Sequence, residues 1–130
     1  MATSTSSGTL QAATTIAKTT ETLVGAEIGC AGYDWITLFF AYVKGDETGL
    51  YIVPYVMSAT GGTAYKHILW SETAGVYSAE QVKYTATASL TGSVTLSVKG
   101  IEFIKFMQGG SNNDGTPTGT LAASYSMSKE

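Results

Sequence analysis

From residue 14 to residue 127 the sequence runs in short stretches of alternating apolar and polar side chains, broken by glycine-containing segments roughly every 8–12 residues. A period of two suits a strand with one covered face and cannot keep a helix stripe together. The clearest examples are Val94, Leu96 and Val98 set against Ser93, Thr95, Ser97 and Lys99, and Val82, Tyr84, Ala86 and Ala88 set against Lys83, Thr85, Thr87 and Ser89. Composition points the same way. The chain carries 20 Thr, 13 Ser and 8 Tyr, with only 13% charged residues. Thr, Tyr and Val favour a pleated, half-buried surface. We therefore expect an all-β fold, an antiparallel β-sandwich of about eight strands with jelly-roll or immunoglobulin-like topology.

The stretches place individual elements. Residues 14–28 contain a first strand. In residues 33–44, Ile36, Leu38, Phe40 and Tyr42 share one face while Trp35, Thr37, Phe39, Ala41 and Val43 share the other. Both faces are mainly apolar, which predicts a strand covered on both sides, the second cover being open to another subunit. Residues 50–58 form the next strand, with Tyr51, Val53, Tyr55 and Met57 on one face and an edge or bulge at Pro54, which has no N–H to donate. Residues 65–70 read as a short strand, 71–75 as a loop, and 78–83 as room for one helical turn. Residues 101–107 and 119–127 supply the last strands. Residues 1–13 are small and polar and read as a flexible N-terminal arm, leaving 14–130 as a single sandwich domain.

Charge and chemistry exclude several functions. Net charge is −3, all seven basic residues are Lys, and there is no Arg, so nucleic-acid binding is not expected. No stretch approaches the roughly 20 apolar residues that cross a bilayer, and the first eight residues lack the pattern of a secretory signal. Cys30 is the single cysteine, so no intrachain disulfide is available. His67 is the single histidine, and no serine stands in a nucleophile elbow. One His and one Cys leave zinc short of ligands. The carboxylates of residues 45–49 and the Asn112-Asn113-Asp114-Gly115 loop are better explained as turns than as calcium ligands. No catalytic residue, cofactor site or metal site is assigned, and the chain is not expected to be an enzyme.

The aromatic residues carry the remaining signal. Trp35, Phe39, Tyr51, Tyr55 and Trp70 are the candidate interface residues, since aromatic side chains are enriched where proteins meet. An exposed row of aromatics would alternatively stack on sugars, as in a carbohydrate-binding β-sandwich module.

The segment Tyr33-Asp34-Trp35-Ile36-Thr37-Leu38-Phe39-Phe40-Ala41-Tyr42-Val43-Lys44-Gly45-Asp46-Glu47-Thr48 resembles small virion proteins encoded among the structural genes of tailed bacteriophages. In those proteins an aromatic strand commonly runs into a Lys-Gly-Asp-Glu-Thr turn. The Gly-Thr-Pro-Thr-Gly-Thr stretch at residues 115–120 is similar to their turn before a last strand. The resemblance implies a non-enzymatic virion protein, made in the host cytoplasm and resembling head decoration or cement proteins, with a neck or tail component as the alternative. It implies the major capsid protein or other virion proteins as partners, and a homo-oligomer is expected.

Overall fold

The computed structural model describes residues 4–17, 21–59, 61–111 and 117–129. The strands are β1 (Ser4–Thr15), β2 (Thr22–Leu23), β3 (Ile28–Gly29), β4 (Trp35–Val43), β5 (Gly49–Met57), β6 (Tyr65–Lys66), β7 (Ile68–Thr73), β8 (Val76–Gln81), β9 (Tyr84–Ala86), β10 (Leu90–Ser97), β11 (Phe103–Ser111) and β12 (Thr120–Lys129). All pairings are antiparallel, and no helix occurs among the described residues. The chain is all-β, as the alternation predicts, with more and shorter strands than the eight expected.

Sheet A has the order β1-β12-β4-β10. Sheet B has the order β2-β11-β5-β6, with β3 also on β11 and β9 also on β5. Among the described residues, β7 and β8 pair only with each other. The two larger sheets share one core. Sheet A contributes Ile36, Leu38 and Tyr42 from β4, Leu121, Ala123 and Met127 from β12, and Leu96 from β10; sheet B contributes Leu50, Ile52, Ile104 and Phe106. Val24, Ile28 and Cys30 join the same cluster from the connection between β1 and β4. Period-two patterning thus put the right face of β4 inward, because Ile36, Leu38 and Tyr42 are at most 2% exposed.

Four expectations are corrected. Residues 4–13 are not an arm: they lie in β1, paired along β12 from Ser4↔Lys129 to Thr15↔Thr120. Small polar residues fit there because β1 is an edge strand. Gly8 lies against the Tyr125 ring, where a Cβ would approach Cε1 to 2.9 Å. Residues 1–3 lie outside the described residues. Second, within one chain β4 is covered on one face only, so the expected second cover falls to another molecule; Trp35, Phe39 and Val43 are exposed. The strand buried on both faces is β5, where Leu50 and Ile52 belong to the shared core while Val53 and Met57 are buried outside it. Third, residues 68–81 form a long hairpin in place of a short strand, a loop and a helical turn. Fourth, the strand expected within residues 14–28 divides into the end of β1 and the two-residue β2 and β3.

Pro54 explains how β5 tolerates an imino acid while buried. On one side β5 pairs with β11 throughout, Phe106 standing opposite Pro54. On the other side β9 covers residues 50–52 and β6 covers residues 55–56, so Pro54 falls in the gap between them. The absent N–H faces no ladder partner, and the Pro54 carbonyl accepts from the His67 N–H at 3.4 Å.

Candidate interaction surfaces

The hairpin β7–β8 turns through Ala74 and Gly75, with φ of 53° and 78°. Two consecutive positive φ values give the turn twist that matches a two-residue hairpin. Glycine adopts this freely, whereas alanine is strained there. The strands then run in unbroken register from Thr73↔Val76 to Ile68↔Gln81. Leu69, Trp70, Val76 and Tyr77 are 62–69% exposed. One face carries Trp70 beside Ala79 and Tyr77 beside Glu72, and the other carries Leu69 beside Glu80 and Val76 beside Thr73. Within the hairpin the visible side-chain bond is between the Ser71 and Ser78 hydroxyls at 3.2 Å. An isolated two-stranded hairpin is marginal in water. This one exposes large apolar groups on both faces, which makes it a candidate contact surface.

A second surface is the outward face of sheet A. β4 presents Trp35, Thr37, Phe39, Ala41 and Val43, and the residues in register beside them are serine, threonine or alanine: Ser97, Thr95, Ser93 and Thr91 from β10, and Ser128, Ser126, Ser124, Ala122 and Thr120 from β12. Thr5, Ser7 and Thr9 of β1 extend this face. No charged side chain lies among these positions. Thr37 and Thr95 hydroxyls bond across the ladder at 2.9 Å. Phe39, Ala41, Gly92 and Ala122 line a shallow trough over the middle of the sheet. Lys99 Nζ lies 5.8 Å from the Trp35 ring centre, at one end of the face.

The five candidate interface residues thus divide over three surfaces. Trp35 and Phe39 stand on sheet A and Trp70 on the hairpin. Tyr51 and Tyr55 are half-buried on sheet B. Lys83 Nζ sits 4.4 Å from the Tyr51 ring centre, and the Tyr55 hydroxyl donates to Glu21 at 2.7 Å. Burial, and then the bond to Glu21, raises the Tyr55 pKa, so the phenol remains a donor. Trp35 and Trp70 do not share a sheet and make no single aromatic row. The sequence reading missed Leu69, Val76 and Tyr77, because it placed the end of a strand at Trp70. The Thr73-Ala74-Gly75-Val76 turn was the available signal, weaker than an Asn-Gly pair.

Three further polar residues make bonds within the fold. Glu47 is buried in the β4–β5 turn, where its carboxylate accepts from the Tyr42 hydroxyl, from Gly45 N–H at 2.9 Å and from Gly119 N–H at 2.9 Å. Burial pushes its pKa up, but these donors outweigh it and hold the carboxyl down to about 2. Cys30 is buried, with Sγ 3.4 Å from the Ile101 carbonyl oxygen; burial and then the Glu102 charge push its thiol up to about 11. His67 uses its backbone, its carbonyl accepting from Val82 N–H at 2.8 Å. Among the described residues, no group of three or more His, Cys, Asp or Glu side chains gathers in metal-binding geometry. The Asn112-Asn113-Asp114-Gly115 loop lies outside the described residues.

No protein-family profile matches the chain, and no curated protein sequence matches it. Among solved structures, the crystal structure of SPBc2 prophage-derived protein YomS has the same fold, with a TM-score of 0.62 over 99% of this chain and 96% of that one. Sequence identity is 14%.

Proposed function

We propose that the chain is a non-enzymatic structural protein of a phage virion, and specifically a decoration protein that binds the head shell and stabilises it. The exposed hairpin carries this reading: its apolar side chains face water on both sides, and among the described residues its strands pair with no other strand. The fold shared with a prophage-derived protein and the resemblance of residues 33–48 to small virion proteins support the phage setting. In this reading the hairpin enters a cleft of the assembled shell. Full burial of a large apolar side chain contributes about 1.5–3 kcal/mol. Four such residues would offset the cost of immobilising the domain, part of which is rotational and translational freedom. Binding that exists only on the assembled shell stabilises that shell by linkage.

The test is to identify the chain by mass spectrometry in purified virions and to locate it by immunogold labelling. Label over the head, together with an earlier genome release on heating for virions lacking the chain, is the expected result. Label restricted to the neck or tail would replace the head assignment with the alternative component. Absence from purified virions would reject the virion role itself.

A further inference from the structure

The two larger sheets treat their edges differently. In sheet B the outermost strands are two or three residues long. Short edges of this kind give another chain little to pair with. In sheet A the edges are β10, with eight residues, and β1, with twelve. β10 pairs with β4 in unbroken register from Leu90↔Tyr42 to Ser97↔Trp35, and among the described residues no backbone bond reaches its other side. It contains no charge, no proline and no bulge, the devices that usually protect an edge.

β1 is divided. Its second half has register shifts at Thr9/Gln11 and Gln11/Thr14. Gly25 also packs onto the Leu10 backbone there, and Gln11 Oε1 accepts from the Gly25 N–H at 3.1 Å. Residues 4–9 keep regular register with β12, carry no charge and have no such cover.

We infer that the β10 edge of one copy pairs antiparallel with residues 4–9 of β1 in a second copy, so that sheet A continues from protomer to protomer. Strand direction permits it. The four strands of sheet A alternate in direction, so β1 of a following copy meets β10 antiparallel when the copies are arranged head to tail. Both edges flank the uncharged outward face, so the seam brings no like charges together. Each copy carries both halves of the contact, which makes it heterologous and generates a ring where the rotation closes. The virion assignment is not needed for this inference, because the purified chain tests it alone.

The experiment uses two blocked forms, Thr91→Lys with Ser93→Lys on β10, and Thr5→Lys with Ser7→Lys on β1. All four positions are exposed, and circular dichroism and melting verify that each form is folded. Sedimentation of the unsubstituted chain should show concentration-dependent association, and each blocked form alone should sediment as a monomer. An equimolar mixture of the two should yield a dimer and nothing larger, since it contains one intact β10 and one intact β1. A monomeric unsubstituted chain at all concentrations would overturn the proposal. So would association that the β10 substitutions abolish and the β1 substitutions leave untouched, which is the signature of a two-fold β10 pairing.

Discussion

Glu47 shows how much of this fold depends on one carboxylate. Its oxygens terminate Tyr42, Gly45 and Gly119, and so join the β4–β5 turn to the start of β12. Replacing Glu47 with Ala leaves these donors without an acceptor, and we expect a loss of about 2–4 kcal/mol, read from denaturant unfolding at pH 7. The pH dependence has a defined sign. The folded-state pKa, about 2, lies below the ordinary 4.5. The contribution is therefore complete above pH 4.5 and is lost as the pH falls through 2. Glu47→Gln should flatten that part of the acid-unfolding curve. Cys30 gives a second test at this scale. With its side chain buried and its thiol raised to about 11, it should resist alkylation by iodoacetamide at pH 8 in the native protein and react once the chain is unfolded. Burial of Cys30 is what a lone cysteine in such a sequence leads one to expect, whereas the role of Glu47 was hidden: it read as a turn residue, and only the approach of Gly119, 72 positions away, makes it a buried acceptor.

At the scale of the element, the hairpin is locally encoded and β1 is not. Ala74 at φ 53° is the weak point of the hairpin. Ala74→Gly should deepen hydrogen-exchange protection of β7 and β8 by a few-fold, because about 1 kcal/mol of left-handed strain is removed. The global melting temperature should hardly move, since no core residue lies in the hairpin. Trp70→Ala should likewise change unfolding stability by less than about 0.5 kcal/mol, as expected for an exposed site. On the proposed function it should lower shell occupancy sharply. Alternation made β4, β5, β10, β11 and β12 legible to within a few residues, since each has one continuous apolar face. β1 offers no such face: Ser4 to Gly8 is all serine, threonine and glycine, and its pairing comes from β12, over a hundred residues away. The hairpin escaped for the converse reason. Both its faces are exposed, so its side chains follow neither a covered nor an uncovered pattern.

For the whole molecule, the two layers and the hairpin carry separate loads. The shared core draws on both larger sheets and on the connection between β1 and β4, and takes no residue from β7 or β8. The surfaces that face outward are of two kinds: a projecting ribbon with large apolar side chains, and a flat sheet of serine, threonine and a few aromatics whose edges are open. The sequence pointed to an apolar second face on β4, because alternation reports side-chain character; what that face meets is set by other molecules or by water. Separation of loads leads to a direct test. Ile68 and Gln81 stand opposite each other at the base of the hairpin, and His67 and Val82 are already joined by a backbone bond at 2.8 Å. Replacing residues 69–80 with Asn-Gly therefore closes the ladder with a favoured two-residue turn. The shortened chain should unfold cooperatively, with a stability within about 1 kcal/mol of the full chain, because an isolated hairpin is marginal and contributes little to the core. It should also retain any concentration-dependent sedimentation, since β1 and β10 are untouched, and lose binding to purified shells. Loss of cooperative unfolding would show that the hairpin supports the core, and retained shell binding would move the docking surface from the hairpin to sheet A.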